Sequence, residues 1–310
     1  MDKLASIIKI FAYSVLALVL VGILISVLVY KKQIPLSINL GSWIGGYSYE
    51  NSDAYSIGNA VIDAAGIKKV DIDWVSGSVE VKTTSSDKVS INENDSDGLE
   101  EKFKLRYLVK DGILYIRFCE PFNVSTKFPD NHRKSLVVTV PENLAQLENF
   151  TLNTVSADSD VSGISSKNVK MNSVSGRVTI KLNGKADFFE GNTTSGDINI
   201  LCDVDELKLH SVSGKATIDG SFIKASVNTT SGSAIINVTN KPEKITVGTV
   251  SGRTKITLME DFGFTAKLST VSGNLNCSLP VTTSGKFNVK HGDGFCNIDV
   301  SSVSGGLTIQ

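Results

Sequence analysis

MNSVSGRVTI (171–180), GNTTSGDINI (191–200), LHSVSGKATI (209–218) and VNTTSGSAII (227–236) are four writings of one phrase. Each runs from an apolar or small residue through a polar one to Ser or Thr, then Val or Thr, then Ser-Gly, and closes on a short β-like run. The phrase recurs on both sides, as LNTVSADSDV (152–161), VGTVSGRTKI (247–256), LSTVSGNLNC (268–277), a degraded VKHGDGFCNI (289–298) and VSSVSGGLTI (300–309). That makes nine copies, with the Ser positions 18 to 21 residues apart through most of the array. A unit this short cannot bury a core alone. It must stack on its neighbours, so the array predicts an all-β parallel solenoid of about nine coils.

Counted from the Ser, position −4 is mostly apolar and position −2 is Ser or Thr in every clear copy (Thr154, Ser173, Thr193, Ser211, Thr229, Thr249, Thr270, Ser302). Residues two apart in a strand share a face, so −4 and −2 point one way, and +3 and +5 point one way. Between them the Ser-Gly pair resets the phase, because Gly tolerates a backbone that a Cβ resists. The predicted structural corner is therefore Ser175-Gly176, Ser195-Gly196, Ser213-Gly214, Ser231-Gly232, Ser251-Gly252, Ser272-Gly273 and Ser304-Gly305. Stacking would repeat this corner about every 4.8 Å, a rod of about 40 Å. Two polar ladders follow. The −2 hydroxyls can bond to one another or to corner backbone. Asn153, Asn172, Asn192 and Asn228, with His210 in the same column, can bond along the axis.

From Ile10 to Tyr30 no residue is charged. About 20 apolar residues span a bilayer core, so residues 1–30 are expected to be an uncleaved transmembrane signal anchor, with a cleaved signal peptide as the alternative. Lys3 and Lys9 on one side nearly balance Lys31 and Lys32 on the other. Long domains translocate largely regardless of flanking charge, and the expected topology is N-terminus inside with the large domain extracytoplasmic.

Residues 31–67 are a Gly-, Ser- and Tyr-rich juxtamembrane spacer. Its Trp43, Tyr47 and Tyr49 would either sit in the membrane interface or pack on the first coil. Residues 68–150 alternate as strands and carry an isolated WVSG at 74–77. They predict a β-rich cap leading into the solenoid of 151–310. Asp111-Gly112 between KLRYLVK and ILYIRF is a hairpin signal. The segment 142–150 has room for one helical turn at most.

The recurrent T-V-S-G phrase, VDIDWVSGSVEVKTT, SLVVTVPENLAQLENFTLNTVSADSDV and GDGFCNIDVSSVSGGLTI together resemble the bacterial putative-adhesin family of unknown function (the DUF4097 β-strand-repeat family), over about residues 65–310. The resemblance implies a parallel β-solenoid, often membrane-anchored in the cell envelope and in some members linked to envelope-stress sensing. It brings no catalytic residues. Ala157 in place of the first Gly and the extra LPVTTSGKF (279–287) depart from the pattern.

The formal charge of −1 and the absence of a Lys/Arg stripe exclude nucleic acid as an obvious partner. No nucleotide-binding, hydrolase or zinc-protease motif appears. Asp71/Asp73, Asp158/Asp160 and Asp203/Asp205 are the acidic pairs that a glycan-cleaving β-helix or a Ca²⁺ site would use, but they share no column. Cys119, Cys202, Cys277 and Cys296 lack metal-ligand spacing. Cys277 and Cys296 fall in successive copies, where a disulfide depends on geometry. The expectation is a non-enzymatic scaffold without metal or cofactor, whose partners are the membrane and an envelope protein or glycan. The rivals are a glycan-binding or glycan-cleaving β-helix and a filament that self-associates through the solenoid ends. The chain stops nearly inside a strand, which leaves the C-terminal end weakly capped. Recognition is expected where the repeat breaks, at 92–133 and 279–298.

Overall fold

Val, Ile, Leu and Thr at alternate positions hold the repeat extended, and in-register pairing sets the inward positions of one coil over the equivalent positions of the next. The computed structural model describes residues 46–94, 98–123, 134–142, 144, 146–258, 262–283 and 286–310. All lie in one unit, Leu40–Gln310. The predicted anchor lies outside the described residues. Among those described, no helix is long and apolar enough to cross a membrane.

Two stacks of parallel, in-register strands meet at the corner. The first holds the half of each coil before the Ser-Gly. Its order is Ile113–Arg117, Lys69–Thr84, Leu147–Ser162, Ser166–Ser173, Val178–Thr193, Ile198–Ser211, Phe222–Thr229, Lys244–Thr249, Cys296–Ser302, Phe264–Thr270. The second stack follows the corner, in the order Ser135–Pro141, Lys69–Thr84, Leu147–Ser162, Val178–Thr193, Ile198–Ser211, Ala216–Gly220, Ala234–Val238, Thr254–Leu258, Leu307–Ile309, Leu275–Cys277. Several strands serve both stacks, one half in each. The fold is all-β and solenoid-like. The −4 side chains Leu152, Met171, Leu209 and Val247 face Val178, Ile180, Ile236 and Ile256 in one core, all buried.

Sequence order and stacking order differ at both ends. Of the strands in the two stacks, Lys69–Thr84 comes first along the chain but lies inside, between the later strands Ile113–Arg117 with Ser135–Pro141 and the strand Leu147–Ser162. The last coil, Cys296–Ser302 with Leu307–Ile309, lies between the coil of Ser251 and the coil of Ser272. The expectation that the chain terminus is the weakly capped end of the solenoid is therefore corrected. Ile309 is fully buried, and its strand is hydrogen-bonded on both sides.

Antiparallel strands close the ends. Arg106–Lys110 returns on Ile113–Arg117 through the predicted Asp111-Gly112 turn, with positive φ at both residues (53° and 73°). Ser56–Ile57, Ala60–Asp63 and Lys88–Asn94 complete that end. Two of these strands come from residues assigned to the spacer. At the other end Asn288–His291 runs antiparallel to Phe264–Thr270. The degraded phrase at 289–298 is thus not a coil, because it lacks the Ser-Gly needed to turn the corner. Cys277 consequently lies in the second stack beside Ile309, and Cys296 in the first beside Phe264, so the two do not stack. All four cysteines are free thiols.

Candidate functional site

The predicted corner residues come together as one column, and the reason for Gly differs between coils. Gly176 and Gly214 take φ of +109° and +116°, where a Cβ is strained. Gly196, Gly232, Gly252, Gly273 and Gly305 do not share that backbone. Those five depend on close approach alone: each lies against a carbonyl of the adjacent coil, where an added Cβ would come within 1.8–2.2 Å, and Gly176 and Gly214 meet such a carbonyl as well, at 2.5 and 2.4 Å. The chain of contacts runs Gly252, Gly305, Gly273, which is the stacking order and not the sequence order. Ala157 is tolerated in a strand, Leu147–Ser162, that passes through the corner without a break.

The −2 hydroxyls form no continuous ladder: five serve their own corner, Thr270 donates to the Val303 carbonyl of the neighbouring coil at 3.4 Å, and Thr154 and Ser302 make no side-chain hydrogen bond among the described residues. Thr193, Thr229 and Thr249 accept from the backbone N–H of Gly196, Gly232 and Gly252 at 3.2, 2.9 and 2.8 Å. Where −2 is Ser173 or Ser211, it donates to the carbonyl of Ser175 or Ser213 at 3.2 Å, in coils whose corner Gly has positive φ. The corner serines bind between coils. Ser175, Ser195, Ser213 and Ser231 donate to carbonyls of Val155, Val174, Thr194 and Val212 at 3.3–3.4 Å. Ser251, Ser272 and Ser304 make the same kind of link through their backbone N–H groups to Thr230, Val303 and Val250.

Position −3 points outward and forms the second predicted ladder. Asn192 donates to Asn172 at 3.0 Å, Asn172 to Asn153 at 2.7 Å, and Asn153 to the Asp73 carboxylate at 2.7 Å. His210 and Asn228 continue the column. Asp73 itself pairs with Arg117, which also holds Asp71 at 2.7 Å. One carboxylate thus orients three amides in the same direction. Burial alone would lower the Arg117 pKa, but Asp73 and Asp71 outweigh it and hold the guanidinium above its ordinary range.

Residues 67–310 match the model of the family described as Toastrack DUF4097. This chain belongs to that family. The Toastrack fold recurs in a protein described as a "putative adhesin" from Bacteroides fragilis, 13% identical, with 82% of this chain and 97% of that one covered at a TM-score of 0.50. A "putative adhesin" from Parabacteroides merdae is 13% identical over 82% and 96% of the two chains, with a TM-score of 0.46. A "putative lipid binding protein" from Parabacteroides distasonis is 15% identical over 81% and 96%, with a TM-score of 0.39. No curated protein matches the chain.

Around the ladder's charged end, this Toastrack domain gathers a tyrosine cluster. Tyr49, Tyr55 and Tyr115 lie in a row, with ring centroids 4.8 and 6.4 Å apart, and Arg117 sits over Tyr115 at 5.2 Å and over Tyr49 at 6.0 Å. Tyr47 is buried and accepts from the Phe118 N–H, while Tyr49 donates to the Cys119 carbonyl. Of the two readings of Tyr47 and Tyr49, packing on the end of the solenoid is the one realised. Trp43 lies outside the described residues. Sequence reasoning missed Arg117 and Lys134. Lys134 is fully buried, paired with Glu93 at 2.6 Å, bonded to the carbonyls of Phe103 and Phe118, and 4.1 Å from the Phe118 ring centroid. Its register opposite Gly77 places it in the corner column, with its ammonium 5.1 Å from the Trp74 ring centroid.

Five of the six paired carboxylates are held by neighbouring groups, Asp205 by Lys185, and the pairs are not grouped. Asp71 and Asp73 face Arg117, Asp158 accepts from the Arg177 N–H, and Asp203 accepts from Ser221. Among the described residues no group of three His, Cys, Asp or Glu gathers to hold a metal. Of the broken-repeat regions, 95–97, 124–133 and 284–285 lie outside the described residues, while strands within 98–123 and 286–291 contribute to the antiparallel ends.

Proposed function

We propose that this chain is a non-enzymatic module of the bacterial cell envelope. The segment 1–30 anchors it in the membrane, and a solenoid of about nine coils, held outside, acts as an adhesin-like binding or scaffold surface. One observation carries the reading. The repeated Ser, Thr and Gly positions are engaged in joining coil to coil, so they build a rigid register and leave its outer faces to make contacts. Protease added to intact cells is expected to digest residues 46–310, and protection of that domain would overturn the topology. Envelope glycans incubated with the full chain are expected to remain uncleaved. Cleavage that is lost in Asp158→Asn would overturn the non-enzymatic reading.

A glycan ligand is the second reading, and the tyrosine row supports it. Tyr49, Tyr55 and Tyr115 are half-buried and bordered by Arg117 and Asp71, a mix of ring faces and charged hydrogen-bonding groups that suits a sugar. Binding of soluble envelope glycan fragments that weakens at least tenfold in Tyr115→Ala, with unchanged melting temperature, supports it. Binding unaffected by that substitution rejects it.

A further inference from the structure

The coil that ends the chain fills a slot between two coils that precede it. Cys296–Ser302 bonds to Lys244–Thr249 on one side and to Phe264–Thr270 on the other. Leu307–Ile309 lies likewise between Thr254–Leu258 and Leu275–Cys277. The walls of this slot are themselves copies of the phrase, at 247–256 and 268–277. Val247 and Leu268 both register on Val300, Thr249 and Thr270 on Ser302, and Ile256 and Cys277 on Ile309. If the last coil withdraws, the walls match each other in that same register. The slot can then close by one rung and leave the end of the stack intact.

We propose that residues 296–309 are an exchangeable rung, and that its partner is the same slot in a second copy of this chain. The rung buries Cys296, Ile298, Val300, Leu307 and Ile309. Released, it exposes these side chains and two unpaired strand edges, so it must be taken up again. The slot accepts little else. Gly305 lies where a Cβ would come within 2.0 Å of the Gly252 carbonyl, and Gly273 lies where a Cβ would come within 2.2 Å of the Gly305 carbonyl. An occupant must therefore turn a corner on Gly at one fixed place between two strands. The last coil of another copy satisfies this with the contacts it already makes, which is what domain exchange requires. Gly292 and Gly294, with φ of +53° and +75°, lie just before the rung and allow its path to change. The slot is near the opposite end of the stack from Ser56–Ile57, so exchange joins two molecules at the ends away from that strand. This goes beyond the adhesin-like reading by naming a partner, and it holds or fails independently of any glycan.

Thr246 and Asp299 are register partners between the slot wall and the rung. Full chains carrying Thr246→Cys alone and Asp299→Cys alone, with tags of different size, are mixed in detergent solution, warmed below the melting temperature and oxidised. Exchange predicts a covalent heterodimer whose yield rises with concentration and time, at least fivefold above a control mixture of Thr246→Cys with Asp160→Cys. In the double variant Thr246→Cys/Asp299→Cys, oxidation within one chain is expected to lock the rung and abolish the dimer that exchange predicts for the unmodified chain in sedimentation. A heterodimer yield equal to the control, or an undiminished dimer in the locked chain, overturns the proposal. Glycan binding that persists alongside either result leaves the functional reading standing.

Discussion

A single missing Cβ decides how closely two coils approach. At Gly252 an added methyl group would come within 1.8 Å of the Gly232 carbonyl, and backbone cannot move there without disturbing the coil below. Gly252→Ala is expected to destabilise the fold by about 1–3 kcal/mol, the usual cost of overpacking, seen as a lower urea midpoint. Thr229→Val keeps the shape but removes the acceptor for the buried Gly232 N–H. It should cost about 1–3 kcal/mol. The half-exposed neighbour Thr230→Val should change stability by less than about 0.5 kcal/mol. Equal effects at the two threonines would refute the inward assignment of position −2.

The thiols give a prediction in pH. Burial pushes Cys119, Cys202 and Cys296 up to about 12 from an ordinary value of 9.0. The unfolded chain gives up these protons first, so their contribution to stability is present below pH 9.0 and is lost as pH rises towards about 12. Burial raises Tyr47, Tyr49 and Tyr55 as well, with the same sign. Lys134, lowered by burial, acts in the opposite direction. The six acids outnumber it, and the urea midpoint is expected to fall steadily above pH 9. Iodoacetamide in native buffer should label the half-buried Cys277 well before the other three thiols, as read by mass spectrometry.

At the scale of the element, the Asn ladder has a direction that no single residue shows. Its amides donate in sequence toward Asp73, and Arg117 holds that carboxylate. Arg117→Met would leave Asp71 and Asp73 facing each other without a counterion, and should cost about 3–5 kcal/mol in thermal or urea unfolding. Asn172→Ala removes one bond given and one received, a loss of about 1–3 kcal/mol at about 0.5–1.5 per bond. The Asn column, the corner and the inward −4 and −2 positions were legible from the phrase, because a period of two fixes which side chains share a face. Arg117 was not, because its partners lie 44 and 46 residues away on a strand that sequence alone does not bring beside it. Position −4 also has an exception that only packing explains. Gly191 leaves room that Leu209, Phe189 and Met171 fill from neighbouring positions.

At the scale of the whole molecule, repetition itself hides the stacking order. When each coil presents the same corner and the same inward residues, every coil fits every other, and sequence cannot say which neighbours meet. The chain uses that freedom at both ends. Its first coil is covered by Ile113–Arg117 and Ser135–Pro141, and its last is inserted before the coil of Ser272. Chain termini ordinarily fray first. Here Leu307–Ile309 is paired on both sides and buried, while Leu275–Cys277, more than thirty residues earlier, has one parallel partner among the described residues. Hydrogen exchange is expected to show the amides of 307–309 among the more slowly exchanging of the second stack, and those of 275–277 exchanging faster. The reverse ranking would mean that the last coil is the outermost one, and would restore the sequential stack that the repeat alone suggests.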